Sequence, residues 1–240
     1  MRRAVLVHGF LGSPADWADV LAHLAAGIEC ECVALRDLDC ASIESAALAL
    51  IARLERCPCD VLVGYSLGGR IALEALAQRP TGVPRLVLLS TSAGIADAHE
   101  RTRRSNEDEA RAVELRAHGI SAFVEQWYQL PLFAPFRAHA SFALARARRE
   151  GGDAAFWATC IAACSPGRAA MRRETLISHA DRITLAVGAL DERYAAAAQA
   201  LASFAPRLTL ETIAHAGHVL PFEAPERVAR LIEAALEKSP

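Results

Sequence analysis

The stretch Val61-Leu62-Val63-Gly64-Tyr65-Ser66-Leu67-Gly68-Gly69-Arg70 decides the fold. An apolar run leads into G-x-S-x-G, and apolar residues at helical spacing continue to about Gln78. This pattern predicts a strand over Val61–Gly64, a sharp turn with Ser66 at its apex, and a helix behind it. Ser66 has to sit there in a strained backbone conformation, and Gly64 and Gly68 leave room for the turn. The hydroxyl then projects above the strand end. The N–H of Leu67, at the N-terminus of the helix, points toward negative charge developing on a bound oxygen. A phosphate loop is excluded, because no Lys follows the glycines; Arg70 stands there instead.

Outward from this turn, short β-branched runs alternate with longer helical patterns, which predicts a mostly parallel sheet flanked by crossover helices, an α/β fold. The expected strands are Ala4–Val7, Cys30–Leu35, Val61–Gly64, Arg85–Leu89, Ile183–Val187 and Leu208–Ile213. Helices are expected from Pro14 (with Ser13 as N-cap), over Ser42–Arg56, after Ser66, over Asp191–Ser203 and over Pro225–Glu237. Residues 95–180 break the alternation. They are rich in Arg, Ala and Glu, with no strand-like run, and read as helices over His99–His118, Ser121–Tyr128, Pro135–Glu150, Asp153–Ala163 and Arg168–His179. A helical insertion at that place predicts a lid, residues 95–180, over a core of residues 1–94 and 181–240. Ligands bind at the carboxyl edge of such sheets.

The chain has 240 residues, 53% of them apolar and 22% charged, with a formal net charge of −2. That suits one sizeable folded core and gives no bulk attraction to nucleic acid or to an anionic membrane. No segment approaches the ~18 continuous apolar residues of a membrane span. Arg2 and Arg3 precede an apolar run, but His8-Gly9 ends it after Ala4–Val7, so it reads as a strand and not as a leader. The seven cysteines, Cys30, Cys32, Cys40, Cys57, Cys59, Cys160 and Cys164, lack C-x2-C pairs. They read as buried, reduced thiols of a cytoplasmic protein, with no metal and no cofactor expected. Nothing in the pattern sets an oligomeric state.

The catalytic candidates follow from chain order. His8-Gly9-Phe10 comes directly after the first strand, where Phe10 would supply a second N–H for the oxyanion; as an ordinary turn, Gly9 would serve only for its φ > 0. Gly188-Ala189-Leu190-Asp191 ends the fifth strand and Ala214-His215-Ala216-Gly217-His218 follows the sixth. His218 would take the proton of Ser66, and Asp191 would hold its tautomer. His215 competes, but the run G-H-x-x-P-x-E-x-P from Gly217 to Pro225 places His218 in the loop before the last helix. His23, His99, His118, His139 and His179 read as surface or lid residues.

These residues resemble the α/β-hydrolase superfamily. Beyond the general pattern, Gly64–Arg70 is similar to the elbow of the 2-succinyl-6-hydroxy-2,4-cyclohexadiene-1-carboxylate synthases of menaquinone biosynthesis. So are His8-Gly9-Phe10-Leu11-Gly12-Ser13 with Trp17, the run Trp127-Tyr128-Gln129-Leu130-Pro131-Leu132-Phe133, and Gly188-x-x-Asp191-x-Arg193-Tyr194. The resemblance implies a lyase that eliminates pyruvate from a substrate bearing three carboxylates. It implies Ser66, His218 and Asp191 as the catalytic set, with the amides of Phe10 and Leu67 as oxyanion hole. Arg70 and Arg104 would hold carboxylates, with a third cation from Arg148 or Arg149. Tyr65, Trp127 and Tyr128 would line the pocket. The Arg-rich segment Arg101, Arg103, Arg104 lies upstream of Trp127, as the family has it. The chain departs from the family in starting directly at the strand before His8, and in having Arg36-Asp37-Leu38-Asp39-Cys40 where D-x-P-G-x-G-x-S is common. The same triad would also serve a carboxylesterase or C–C hydrolase working through an acyl-enzyme. A non-catalytic binding module has no need of all three residues.

Overall fold

The computed structural model describes residues 2–238. Six strands, β1 (Arg2–Val7), β2 (Ile28–Val33), β3 (Val61–Tyr65), β4 (Arg85–Leu89), β5 (Ile183–Gly188) and β6 (Thr209–Ile213), form one sheet in the order β2-β1-β3-β4-β5-β6. Every neighbouring pair is parallel. In chain order the helices are α1 (Ala18–Ala22), α2 (Ile43–Arg56), α3 (Leu67–Gln78), α4 (Ala98–Gln129), α5 (Ala134–Arg137), α6 (Phe142–Glu150), α7 (Ala154–Ala163), α8 (Arg173–Ser178), α9 (Glu192–Phe204), α10 (Leu220–Glu223) and α11 (Pro225–Glu237).

Burial explains the strand sequences. β3 is buried along its whole length, and β1, β4 and β5 nearly so, because helices cover both faces; their residues are continuous apolar runs. The edge strands β2 and β6 are only half-buried. On β2, Glu31 is held by Arg3 and Arg53, which places charge on an otherwise open edge. Beneath the sheet's centre, α3 is buried on most sides and carries Glu74 at 1% exposure. Arg172 grips both oxygens of that carboxylate at 2.6 and 2.7 Å.

The topology fixes where a ligand goes. The connection from β1 runs outward to β2, while β3 leads the other way to β4, so the strand order reverses between β1 and β3. The crevice at their carboxyl ends is the switch point, and both His8-Gly9-Phe10 and Ser66 emerge into it.

Several elements differ from the sequence reading. β2 ends at Val33 and not Leu35: the Leu35 amide leaves the sheet to donate to His8 Nε2 at 3.2 Å, and a 3-10 turn, Leu35–Asp37, begins. The two helices expected over His99–His118 and Ser121–Tyr128 are both present within α4: the backbone leaves helical geometry at Gly119 (φ 78°, ψ 174°), a conformation glycine accepts without strain, so α4 is two helices joined at a kink. The helix expected over Pro135–Glu150 is split into α5 and α6, because His139 Nδ1 and carbonyl take the amides of Ser141 and Phe142. The expected Arg168–His179 helix shrinks to α8; upstream, the Arg172 amide donates to the Ala93 carbonyl at 2.6 Å, tying the chain to the segment after β4.

Among the described residues, no helix is long and apolar enough to cross a membrane. All seven cysteines are free thiols. The expectation that all are buried fails for Cys57, which is exposed, and for Cys30, Cys32 and Cys59, which are half-buried. Burial still pushes the Cys59 thiol up to about 12 and Cys32 up to about 11, which keeps them poor nucleophiles.

Candidate active site

At the end of β3 the backbone of Ser66 adopts φ 51°, ψ −109°, a left-handed conformation that a non-glycine residue holds only when its surroundings impose it. Its amide is fixed on the Leu89 carbonyl at 2.9 Å, and α3 starts at the next residue. The glycines serve by close approach. A Cβ on Gly68 would collide with the Val7 carbonyl oxygen, where α3 crosses the end of β1. Gly9 likewise needs no positive φ: a Cβ there would lie 2.8 Å from the Tyr65 ring, so the glycine admits Tyr65 beneath the turn. The reading of Gly9 as a φ > 0 turn residue is corrected accordingly.

His218 Nε2 stands 3.2 Å from Ser66 Oγ, and His218 Nδ1 stands 2.7 Å from Asp191 Oδ2. Asp191 and His218 are 4% and 3% exposed, so their hydrogen bond is shielded from water, while Ser66 is half-buried and opens to the pocket. Asp191 is the N-cap of α9, and its other oxygen accepts the Tyr194 amide at 3.3 Å. The positive end of a helix favours the carboxylate there. His215 is exposed and takes no part. Chemically, the arrangement can pass a proton from the Ser66 hydroxyl to an imidazole whose tautomer is set by a buried carboxylate.

Phe10 and Leu67 both line the pocket above Ser66. Leu67 is the first residue of α3, where an amide has no acceptor within the helix. Tyr65 also lines the pocket; it is 7% exposed, its ring is 5.8 Å from that of His218, and burial raises its phenol well above the ordinary range. Helices between β4 and β5 complete the walls. Trp127 and Tyr128 of α4 both reach the pocket. Both also belong to an aromatic core: Trp127 stacks on Phe123 at 5.7 Å, and Tyr128 meets Phe133 and Phe142 edge-on at 5.1 Å.

Three arginines face this pocket with different partners. Arg70 donates to the Cys164 carbonyl at 2.8 Å and has no carboxylate partner among the described residues. Burial draws its guanidinium below the ordinary value. Arg104 lines the pocket too, but its Nε is on Asp108 at 2.8 Å. Asp108, 1% exposed, also binds Arg111 and Ser165. Of the adjacent pair, Arg149 is the one in the pocket; it is 5% exposed and doubly bonded to Asp16, at 2.8 and 3.3 Å. Arg148 is turned outward, onto the Ala15 carbonyl. Of the other arginines in the family-like segments, Arg103 and Arg193 are exposed and paired with Glu107 and Glu100.

The sequence reading missed three residues. Tyr194 lines the pocket with its ring 4.7 Å from that of His218; its place three residues after Asp191, in the first turn of α9, was the available signal. Glu223 accepts the amides of Gly217 and Val219 at 3.1 and 2.6 Å, clamping the backbone on both sides of His218. It is the Glu of the G-H-x-x-P-x-E-x-P run.

His8 is the third. It is 2% exposed; Nδ1 lies 2.8 Å from the Gly9 carbonyl, and Nε2 accepts the Leu35 amide. This pair of contacts needs the neutral ring, with the proton on Nδ1. Burial lowers its pKa to about 4. The folded protein therefore binds fewer protons than the unfolded chain between pH 6.5 and 4. The stability His8 protects is complete above pH 6.5 and is lost as pH falls through 4, by about 3 kcal/mol. His8→Gln should lose correspondingly less stability on acidification from pH 7 to 4.5. Urea unfolding at both pH values measures this; equal losses in the two proteins would refute it.

The family described as the alpha/beta hydrolase family matches residues 4–231. A 2-succinyl-6-hydroxy-2,4-cyclohexadiene-1-carboxylate synthase from Enterobacter sp. (strain 638) is 29% identical over 94% of this chain and 88% of its own length. A protein of the same name from Klebsiella pneumoniae subsp. pneumoniae is 33% identical over 65% of this chain. The chain spans 60% of that relative, and 15% of the chloroplastic protein PHYLLO of Arabidopsis thaliana, to which it is 28% identical. The solved structure of MenH from S. aureus superposes with a TM-score of 0.89 at 23% identity, covering 99% of this chain and 94% of that one.

Proposed function

The chain belongs to the alpha/beta hydrolase family, and from that premise we propose that it is a lyase of menaquinone biosynthesis. It eliminates pyruvate from 2-succinyl-5-enolpyruvyl-6-hydroxy-3-cyclohexene-1-carboxylate. The observation that carries this reading is Arg70: a half-buried guanidinium, without a carboxylate partner among the described residues, in the same pocket as Ser66 and His218. A partly desolvated cation of this kind is stabilised when a ligand supplies the anion. The substrate carries three carboxylates. The names of the Enterobacter and Klebsiella relatives support the same reaction.

In this mechanism Ser66 Oγ removes the proton beside the succinyl ketone as its own proton passes to His218 Nε2. Asp191 stabilises the imidazolium. The electron pair forms an enolate whose oxygen is held by the amides of Phe10 and Leu67. The pair then moves into the ring as the C–O bond to the enolpyruvyl group breaks. The leaving group is the enolate of pyruvate; it takes up one proton at its methylene carbon, originally from the imidazolium, and becomes pyruvate. Every atom of the substrate ends in the diene or in pyruvate, and no acyl-enzyme forms. Arg70 orients a carboxylate; Arg104 and Arg149, already paired with Asp108 and Asp16, contribute a weaker field. Tyr65, Trp127 and Tyr128 shape the wall, and residues 95–180 act as the lid over a core of 1–94 and 181–240. The reaction needs no cofactor, and its place is the cytoplasm.

The test is a paired assay. Pyruvate release from the enzymatically generated substrate is followed beside hydrolysis of a p-nitrophenyl ester. Arg70→Ala should lower kcat/KM for pyruvate release by about 10- to 100-fold, the loss of one charged hydrogen bond, and leave ester turnover nearly unchanged. Pyruvate release no faster than the spontaneous rate, with ester turnover dependent on Ser66, would replace the lyase by a hydrolase working through an acyl-enzyme.

A further inference from the structure

Cys40, Cys160 and Cys164 converge although they are far apart in the chain. Cys160 and Cys164 lie one turn apart at the end of α7 and share a face. Cys40 comes from the segment that follows the Leu35–Asp37 turn. Their sulfur atoms lie within 4.8 Å of one another, and the residues are 7%, 0% and 1% exposed. The Cys40 thiol meets the Leu35 carbonyl at 3.3 Å, and the Cys164 thiol meets the Cys40 carbonyl at 3.6 Å. Both are weak contacts that a better ligand can displace.

We propose that these three cysteines form a site for a thiophilic divalent cation of the zinc class, bound by three thiolates with its fourth position open to the active-site pocket. Sulfurs around a tetrahedral zinc sit roughly 3.8 Å apart, given Zn–S bonds of ~2.3 Å. Closing the cluster from 4.8 Å therefore needs only side-chain rotation of about 1 Å or less. Thiolate donors select zinc-like ions over magnesium or calcium. Cys160 and Cys164 line the pocket, the side from which an ion would enter and on which the fourth coordination position would lie.

The charges also close. Three thiolates and one divalent cation leave a single negative charge, and Arg70, bonded to the Cys164 carbonyl at 2.8 Å, stands beside it. Binding releases three thiol protons to solvent and involves no electron transfer. An ion held there competes with Arg70 for the carboxylate, so occupancy should slow turnover. That last consequence rests on the reading of the pocket as an active site; the binding itself does not.

Cd²⁺ is the probe, because its thiolate complexes absorb in the ultraviolet through charge transfer. The fully reduced, chelator-treated protein should develop this band and saturate at one Cd²⁺ per chain, with Zn²⁺ displacing the probe and raising the wild-type Tm. Cys160→Ser should lose most of the band and the Tm shift, while Cys57→Ser, at an exposed thiol, should keep both. If Cys160→Ser does not fold, Cys164→Ser answers the same question. A band of undiminished size in either folded variant, or no saturating first equivalent in the wild type, overturns the site. Pyruvate release is then measured separately with and without one equivalent of Zn²⁺. A wild type that binds Cd²⁺ yet releases no pyruvate leaves the metal site standing and removes the lyase reading.

Discussion

His218→Ala is expected to reduce kcat/KM for pyruvate release by about 10²- to 10⁴-fold, the range for removing a positioned general base. The argument is geometric. Nε2 is the group within reach of Ser66 Oγ, at 3.2 Å, and Nδ1 is committed to Asp191 at 2.7 Å. The ring is walled in by Tyr65, Phe133 and Tyr194, at centroid distances of 5.8, 6.1 and 4.7 Å. Water that might substitute for the base has little room to enter. Asp191→Asn should fall in the same range, since an amide cannot accept the Nδ1 proton and hold the tautomer. Ser66→Ala should match His218→Ala, and the double variant should be scarcely worse than either, because the residues act as a unit. Steady-state kinetics on proteins of unchanged circular dichroism settle it. A His218→Ala enzyme within tenfold of the wild-type rate would sink the proposed proton path.

Arg149→Met should cost about 3–5 kcal/mol of folding stability, the penalty for orphaning one member of a buried pair. For a chain of this size that is a fall in Tm of about 10 °C. Arg149 and Asp16 are 5% and 3% exposed and are joined by two hydrogen bonds across 133 residues of sequence. Without Arg149, Asp16 keeps the Ser13 amide at 3.3 Å and a glancing contact with Arg148 at 4.0 Å, too little for a desolvated carboxylate. The cost is that of the uncompensated charge, so Asp16→Leu combined with Arg149→Met should recover much of the loss. Thermal unfolding of the three variants gives the answer. A Tm within 2 °C (roughly 1 kcal/mol) together with a large rise in KM would instead make Arg149 a substrate contact first and a structural tie second.

The chain by itself determined the elements that depend on local chemistry. An apolar run, small residues around one serine and a helical pattern behind it specify the Ser66 turn, since only that order of residues relieves its crowding. Alternation of strand and helix patterns specified the parallel sheet, whose strands appear within a residue or two of their expected places, because a strand buried on both faces has to be apolar throughout. Asp191 and His218 were legible for the same reason: each follows a strand, and strand ends are where this sheet places side chains over the switch point. Tertiary structure alone decided which cations remain free. Arg70, Arg104 and Arg149 look alike along the chain, yet Asp108 and Asp16 occupy two of them, and a carboxylate 133 residues from its partner in sequence leaves no local trace. The fate of His8 was hidden likewise, because burial keeps it neutral and the Leu35 amide bonded to it arrives from the 3-10 turn after β2. The gathering of Cys40 with Cys160 and Cys164 is the same effect: spacing rules read ligands that are near in sequence, and packing of α7 against the Cys40 segment makes neighbours of residues more than a hundred positions apart.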